Sequence, residues 1–164
     1  MTSVNVFAES YANRCLAEKL LDLLRNARSD VRFNLKHTPK MGRDEIVRRL
    51  REKVEGPAIV LIDFEHGRSR VFVERFFVDD KLGHSGVVIA RHGNKIGVIF
   101  DPDVEDGFLS KFWELSQEDR TRIKNRRYAE KVINKILSKT RSSIEAEVHK
   151  IADCVLKLLN KVLA

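Results

Sequence analysis

The chain has 164 residues, of which 43% are hydrophobic and 34% are charged, and its formal net charge is +7. This composition excludes a disordered chain and a disulfide-framed mini-protein, and no apolar run is long enough for a transmembrane helix. The N-terminus lacks the pattern of a signal peptide, so we expect a cytoplasmic protein without a membrane partner. A single Gln beside many Lys, Arg and Glu residues is typical of a thermophile.

The first half of the chain alternates strand and helix patterns. An apolar run opens it, and leucines at helical spacing follow that run. The same alternation then occurs twice more, and the third strand is continuously apolar, as is typical of a strand buried on both faces. The patterns predict strands at residues 4–8, 30–36 and 58–62, with helices at 43–54 and 68–77 behind the last two. This βαβαβα order predicts a parallel sheet with helices on its faces.

The second half of the chain predicts a hairpin and then two helices. Residues 87–90 and 96–100 are short strands around a His-Gly-Asn turn, and Pro102 must end the second strand. One helix is expected from Ser116 to about Lys139, and Ser142 with Glu145 is a capping box for a last helix.

The fold class expected from these patterns is α/β. We expect a three-layer sandwich with a mostly parallel sheet of four or five strands, followed by a C-terminal helical hairpin. The expected domains are an α/β domain at residues 1–113 and the hairpin at 114–164, which packs on that domain or on a partner. A homo-oligomer formed through the C-terminal helices is consistent with this pattern.

Acidic residues follow three of the predicted strands. Glu9 follows the first, Asp63 and Glu65 follow the third, and Asp101 and Asp103 follow the strand at 96–100. Ligands of open α/β sheets bind outside the carboxyl ends of the strands, and a divalent cation offsets the repulsion between clustered carboxylates. Oxygen ligands favour Mg²⁺ or Mn²⁺, so we expect the two acidic pairs to be metal ligands. Alternatively, these acids cap the helices and turns that follow them.

The position of these acids resembles the Toprim domain of topoisomerases, primases and nucleases. The resemblance covers about residues 4–100: a Glu after the first strand and an acidic pair after the third. It implies that Glu9 acts in general acid/base chemistry and that Asp63 and Glu65 bind Mg²⁺ for phosphoryl transfer. The chain departs from the family pattern in two places, with Ser10 in place of Gly and a D-x-E pair in place of D-x-D.

A basic segment is the second functional signal. Residues 120–141 carry nine positive charges against Glu130 alone, and helical spacing places several of them in one stripe. Such a stripe matches nucleic-acid phosphates without reading sequence. The residues of the expected stripe are Arg120, Lys124, Arg127, Lys131 and Lys135. The alternative is a solvated helix face, and Tyr128 is the only aromatic residue of the segment.

Two functions remain open from the sequence. The first is divalent-metal-dependent phosphodiester chemistry on DNA or RNA, with Arg68 and Arg70 as further phosphate contacts. The second is a non-catalytic module that binds nucleic acid or protein, with a degenerate acidic site and a helical oligomerisation segment. Walker, Rossmann and nucleophile-elbow motifs are missing from the sequence.

Overall fold

The computed structural model describes residues 1–36, 42–52, 54–84 and 86–164. Strands and helices alternate through the first half of the chain, three consecutive strands follow, and helices alone complete it. The strands are β1 Thr2–Ala8, β2 Val31–Lys36, β3 Ala58–Asp63, β4 Asp80–His84, β5 Val87–His92 and β6 Lys95–Phe100. The α-helices are α1 Tyr11–Ala27, α2 Arg43–Glu52, α3 Arg68–Phe76, α4 Val104–Gly107, α5 Gln117–Arg122, α6 Arg126–Lys139 and α7 Arg141–Val162. The predicted end of α2 includes Lys53, which lies outside the described residues.

The sheet is mixed and has six strands in the order β2-β1-β3-β6-β5-β4. The first four of these run parallel, while β5 is antiparallel to both of its neighbours. The predicted α/β class and the β5–β6 hairpin are therefore confirmed, but the expected number of strands is wrong. The additional strand is β4, an edge strand with the sequence Asp-Lys-Leu-Gly-His. It pairs through its backbone and carries little apolar surface, so hydrophobic periodicity does not reveal it.

Helices cover both faces of the sheet. The side chains of β3 alternate between the two faces. Ile59 and Leu61 belong to an apolar cluster with α1, α6 and α7, whereas Val60 and Ile62 belong to a second cluster with α2 and α3. Successive strand residues point to opposite faces, so a strand covered on both sides is apolar throughout. All six residues of β3 are buried, as the sequence predicts for residues 58–62.

The C-terminal helices differ from the prediction in two respects. The last helix begins at Arg141 after Thr140, so the predicted capping box of Ser142 and Glu145 does not start it. The single helix expected from Ser116 to Lys139 is wrong, since α5 ends at Arg122 and α6 begins at Arg126. The Asn125 side chain accepts a hydrogen bond from the Arg127 backbone N–H and so caps the new helix. Beyond this break, α6 packs on α1 and α7, and α7 packs on α1 and the strands β4, β5 and β6.

The last helix shares its core with the sheet. Ile144, Val155 and Leu158 of α7 are buried in the same apolar cluster as β1 and β6. At its end, Lys161 lies 3.2 Å from Asp80 of the edge strand. Among the helices that are described, none is long and apolar enough to cross a membrane.

Candidate metal centre

The order of the strands places two acidic segments side by side. The strand β1 lies between β2 and β3 in the sheet, and both neighbours are parallel to it. The chain therefore leaves β1 toward β2 on one side and later returns to β3 on the other side. The connections diverge here, and in open α/β sheets such a divergence forms the ligand crevice at the carboxyl ends of the strands. Glu9 follows β1 and Asp63 is the last residue of β3. The Glu9 backbone N–H donates to the Leu61 carbonyl at 3.0 Å, which continues the pairing into the site.

Three of the predicted residues converge at this crevice. Glu9, Asp63 and Glu65 each place a carboxylate oxygen within 4.8 Å of the other two. Oxygens bound to one Mg²⁺ ion are about 3 Å apart when they are adjacent and about 4.2 Å apart when they are opposite, so a shift of the carboxylates toward one another would close the set around one ion. Glu65 is exposed and has the most room to supply that shift. This group has the oxygen chemistry of a site for a hard divalent cation.

Backbone contacts hold the acidic residues in place. The Asp63 N–H donates to Glu9 Oε2 at 2.7 Å, which fixes the orientation of the Glu9 carboxylate. Glu65 has a positive φ of 53°, and its N–H donates to the Pro102 carbonyl at 2.7 Å. A left-handed conformation is uncommon for a residue other than glycine, and the contact with residue 102 stabilises it. The turn after β3 is therefore tied to both of its neighbouring strand ends.

Asp63 is the buried member of the three acidic residues. The residue is 8% exposed. The pKa of Asp63 is raised to about 8, chiefly by burial and then by the charges of Glu9, Glu105 and Asp103 in that order. A hydrogen bond from Asn13 acts in the opposite direction. A carboxyl in this environment holds its proton near neutral pH unless a cation compensates its charge.

Asn13 is a site residue that sequence reasoning missed. It is fully buried in the first turns of α1, and its Nδ2 donates to Asp63 Oδ1 at 3.4 Å. Its own Oδ1 is buried without a hydrogen-bond partner among the described residues. A buried amide oxygen without a partner is costly, and it is also a hard oxygen of the kind a cation attracts. The signal in the sequence is a polar residue on the otherwise apolar face of α1.

Asp101 and Asp103 do not join the three carboxylates. Arg70 donates to both oxygens of Asp101, at 2.7 and 3.0 Å, and its guanidinium lies 4.4 Å from the centre of the Phe64 ring. Asp103 is the N-cap of α4, where its side chain accepts the Asp106 N–H. In the structure Asp101 thus takes part in an ion pair and Asp103 in a helix cap, and neither belongs to the group of three carboxylates.

Glu105 is a second residue that the sequence did not mark as part of the site. It lies on α4, half-buried, and its charge acts on Asp63. Burial raises the pKa of Glu105 to about 7, with the charge of Asp103 as the next cause. Asp103 and Glu105 therefore contribute to the negative potential at Asp63 even though they lie outside the group of three. Arg68 is exposed at the start of α3.

The predicted basic stripe is divided by the break between α5 and α6. Arg120 forms a 2.7 Å ion pair with Asp106, and Lys124 lies in the break itself. These two cations, together with Asp103, Glu105 and others, line a cavity of about 420 Å³. On α6, Lys135 lies 3.9 Å from Asp119. Arg127 and Lys131 instead lie on either side of Tyr128 in the chain and contact its ring.

We compared the chain with models of known protein families, with curated proteins and with solved structures, and none of the three comparisons finds a match.

Proposed function

We propose that this protein carries out divalent-cation-dependent phosphodiester chemistry on nucleic acid. The observation that supports the proposal best is the convergence of Glu9, Asp63 and Glu65 at the point where the strand connections diverge. A buried carboxyl beside two others is unfavourable unless a proton or a cation shares the site. The Oδ1 of Asn13 lies near Asp63 and has no hydrogen-bond partner among the residues that the structure describes, which fits the same interpretation.

In this proposal the residues have separate roles. Asp63 and Glu65 hold the cation, Mg²⁺ or Mn²⁺, because their oxygens lie together and Glu65 is exposed to the solvent side. The bound cation would neutralise charge on the reacting phosphate oxygens. Glu9 is the acid/base group, and the hydrogen bond from the Asp63 N–H holds its carboxylate in one orientation. The Toprim-like arrangement and the cytoplasmic location stay predictions from the sequence.

The nucleic-acid part of the proposal depends on the cations beside the site. Arg120 and Lys124 line one cavity with Asp103 and Glu105, whose charges act on Asp63. Cations at this place would attract a phosphate backbone to the carboxylates and offset their repulsion. Arg70 is assigned a structural role here, because Asp101 engages its guanidinium at two points.

Calorimetric titration with Mg²⁺ and with Mn²⁺ tests the cation site. Wild type is expected to bind in a saturable manner, and the double variant Glu9→Gln, Asp63→Asn is expected to lose that binding. The matched control is Glu114→Gln, Asp153→Asn, which removes two exposed carboxylates from other parts of the chain. Equal binding by all three proteins would show that the cations bind elsewhere and would refute the proposed site.

Cleavage assays then separate catalysis from binding. Wild type is expected to cut labelled DNA or RNA in Mg²⁺ and to be inactive in EDTA, and the Glu9→Gln variant is expected to bind the cation without cutting. A competing function is a non-catalytic binding module, and the structural use of Glu9 as an acceptor for the Asp63 N–H favours it. Cation binding without cleavage of either nucleic acid by wild type would support that module.

A further inference from the structure

The Tyr128 patch is a cluster of three cations around one aromatic ring, where α5 meets α6. It consists of Tyr128, Arg122, Arg127 and Lys131. The guanidinium carbons of the two arginines each lie 5.7 Å from the centre of the Tyr128 ring, and the lysine Nζ lies 5.9 Å from it. Only the break between the helices allows this arrangement, because it brings Arg122 of α5 beside a ring that belongs to α6.

The patch keeps a surplus of positive charge. Arg122 pairs with Glu118 one helical turn before it. Arg127 and Lys131 form no ion pair within the described part of the chain, and both are exposed. Next to them is a cavity of about 230 Å³ whose walls are both charged and apolar, lined by Asp119, Arg122, Tyr128, Lys131, Val132 and Lys135. This surface offers an aromatic ring and two available cations to an anionic ligand that also has a flat apolar face.

We propose that the Tyr128 patch binds single-stranded nucleic acid, with one unpaired base on the Tyr128 ring and neighbouring phosphates on Arg127 and Lys131. Bases in a duplex are stacked on one another, so only a single strand or a frayed end can present a base face to the ring. The carboxylates of an acidic peptide would use the cations but would gain nothing from the negative face of the aromatic ring. The chemistry of the patch therefore favours a single strand over a duplex and over an acidic protein.

The inference rests on the proposed function, for which it names the substrate class. The patch continues into the break that holds Lys124, and Lys124 lines a cavity with Asp103 and Glu105. The charges of those two acids act on Asp63. If a strand held at Tyr128 passes Lys124, it enters this cavity, beside the residues whose charges act on Asp63.

Fluorescence anisotropy with a short labelled oligothymidylate tests the patch directly. Titrations in EDTA make binding independent of the cation and of any cleavage. Tyr128→Leu is expected to weaken binding at least about fivefold, as the loss of one base–aromatic stack does, whereas Tyr128→Phe keeps the ring and the affinity. Arg127→Gln, Lys131→Gln is expected to weaken binding and to reduce its salt dependence. The charge-matched control, Lys19→Gln, Lys157→Gln, alters exposed lysines of α1 and α7 and is expected to bind as wild type does.

An abasic strand tests the same contact without changing the protein. Wild type is expected to bind an abasic oligonucleotide of equal length more weakly than the thymidylate, and Tyr128→Leu is expected to bind the two alike. Equal affinity of wild type for both strands would overturn the proposal, as would preference for a duplex or no binding of any oligonucleotide at low salt. The variant Glu9→Gln, Asp63→Asn is expected to retain full anisotropy binding. The patch and the cation site can therefore fail independently of each other.

Discussion

Replacement of Asp63 by Asn is expected to stabilise the metal-free protein at neutral pH and to have little effect in acid. Asn has the shape of a protonated Asp but no charge to lose. The pKa of Asp63 is about 8 in the folded protein, where burial is the largest cause, against 3.8 for an unperturbed carboxyl. The substitution therefore removes a group that the fold holds in its protonated form over a wide range of pH.

The direction of the pH effect follows from the two pKa values. Between about pH 4 and pH 8 the folded protein keeps this proton and the unfolded chain releases it, so the free energy of unfolding falls as pH rises. The raised pKa of Asp63 stabilises the folded protein fully below about pH 4, and this stabilisation is lost as the pH rises through about 8. Each pH unit in the interval corresponds to about 1.4 kcal/mol. From about pH 5 to pH 7 wild type is expected to lose about 2.7 kcal/mol relative to Asp63→Asn.

Urea and thermal unfolding in EDTA, followed by circular dichroism at the two pH values, measure this difference. In a protein of this size the change corresponds to about 5–11 °C in Tm. The comparison with Asp63→Asn cancels the titration of groups that do not interact with Asp63, and Asp153→Asn provides an exposed control. Addition of Mg²⁺ is expected to raise the Tm of wild type and not that of Asp63→Asn. A stability difference that is the same at both pH values would refute the argument from burial and neighbouring charge.

Two further predictions concern packing and the role of the second acidic pair. Gly97→Ala places a Cβ 2.9 Å from the Phe77 ring and is expected to lower the free energy of unfolding, measured in urea, by about 1–3 kcal/mol. The Cβ of Gly83→Ala meets open space, so this variant is expected to lower that free energy far less. Destabilisation by Gly83→Ala equal to that by Gly97→Ala would contradict this account. Asp101→Asn weakens the contact with Arg70 and is expected to lower the free energy of unfolding by about 1 kcal/mol while saturable Mg²⁺ binding persists. Loss of cation binding in Asp101→Asn would instead place this residue among the ligands.

The sheet and its main helices could be predicted because their patterns are local. The apolar run at 58–62 became β3, and the helical spacing of leucines became α1, since burial on one or two faces dictates which residue types a segment carries. β4 was hidden because an edge strand pairs through its backbone and has little apolar surface. The break before α6 was hidden because the basic residues on both sides of it continue the same helical period.

In the candidate site, the sequence predicts where the acidic residues lie along the chain, and the tertiary structure determines which of them meet. The sequence alone placed acidic residues after three strands, because that position depends only on local order along the chain. Which of them meet depends on strand pairing: β1 and β3 are parallel neighbours with Ala8 beside Leu61, and this brings Glu9 to Asp63. Long-range contacts also turned Asp101 toward Arg70 and buried Asn13 beside Asp63. Distances between side chains far apart in the chain are set by this pairing, and no local pattern encodes them.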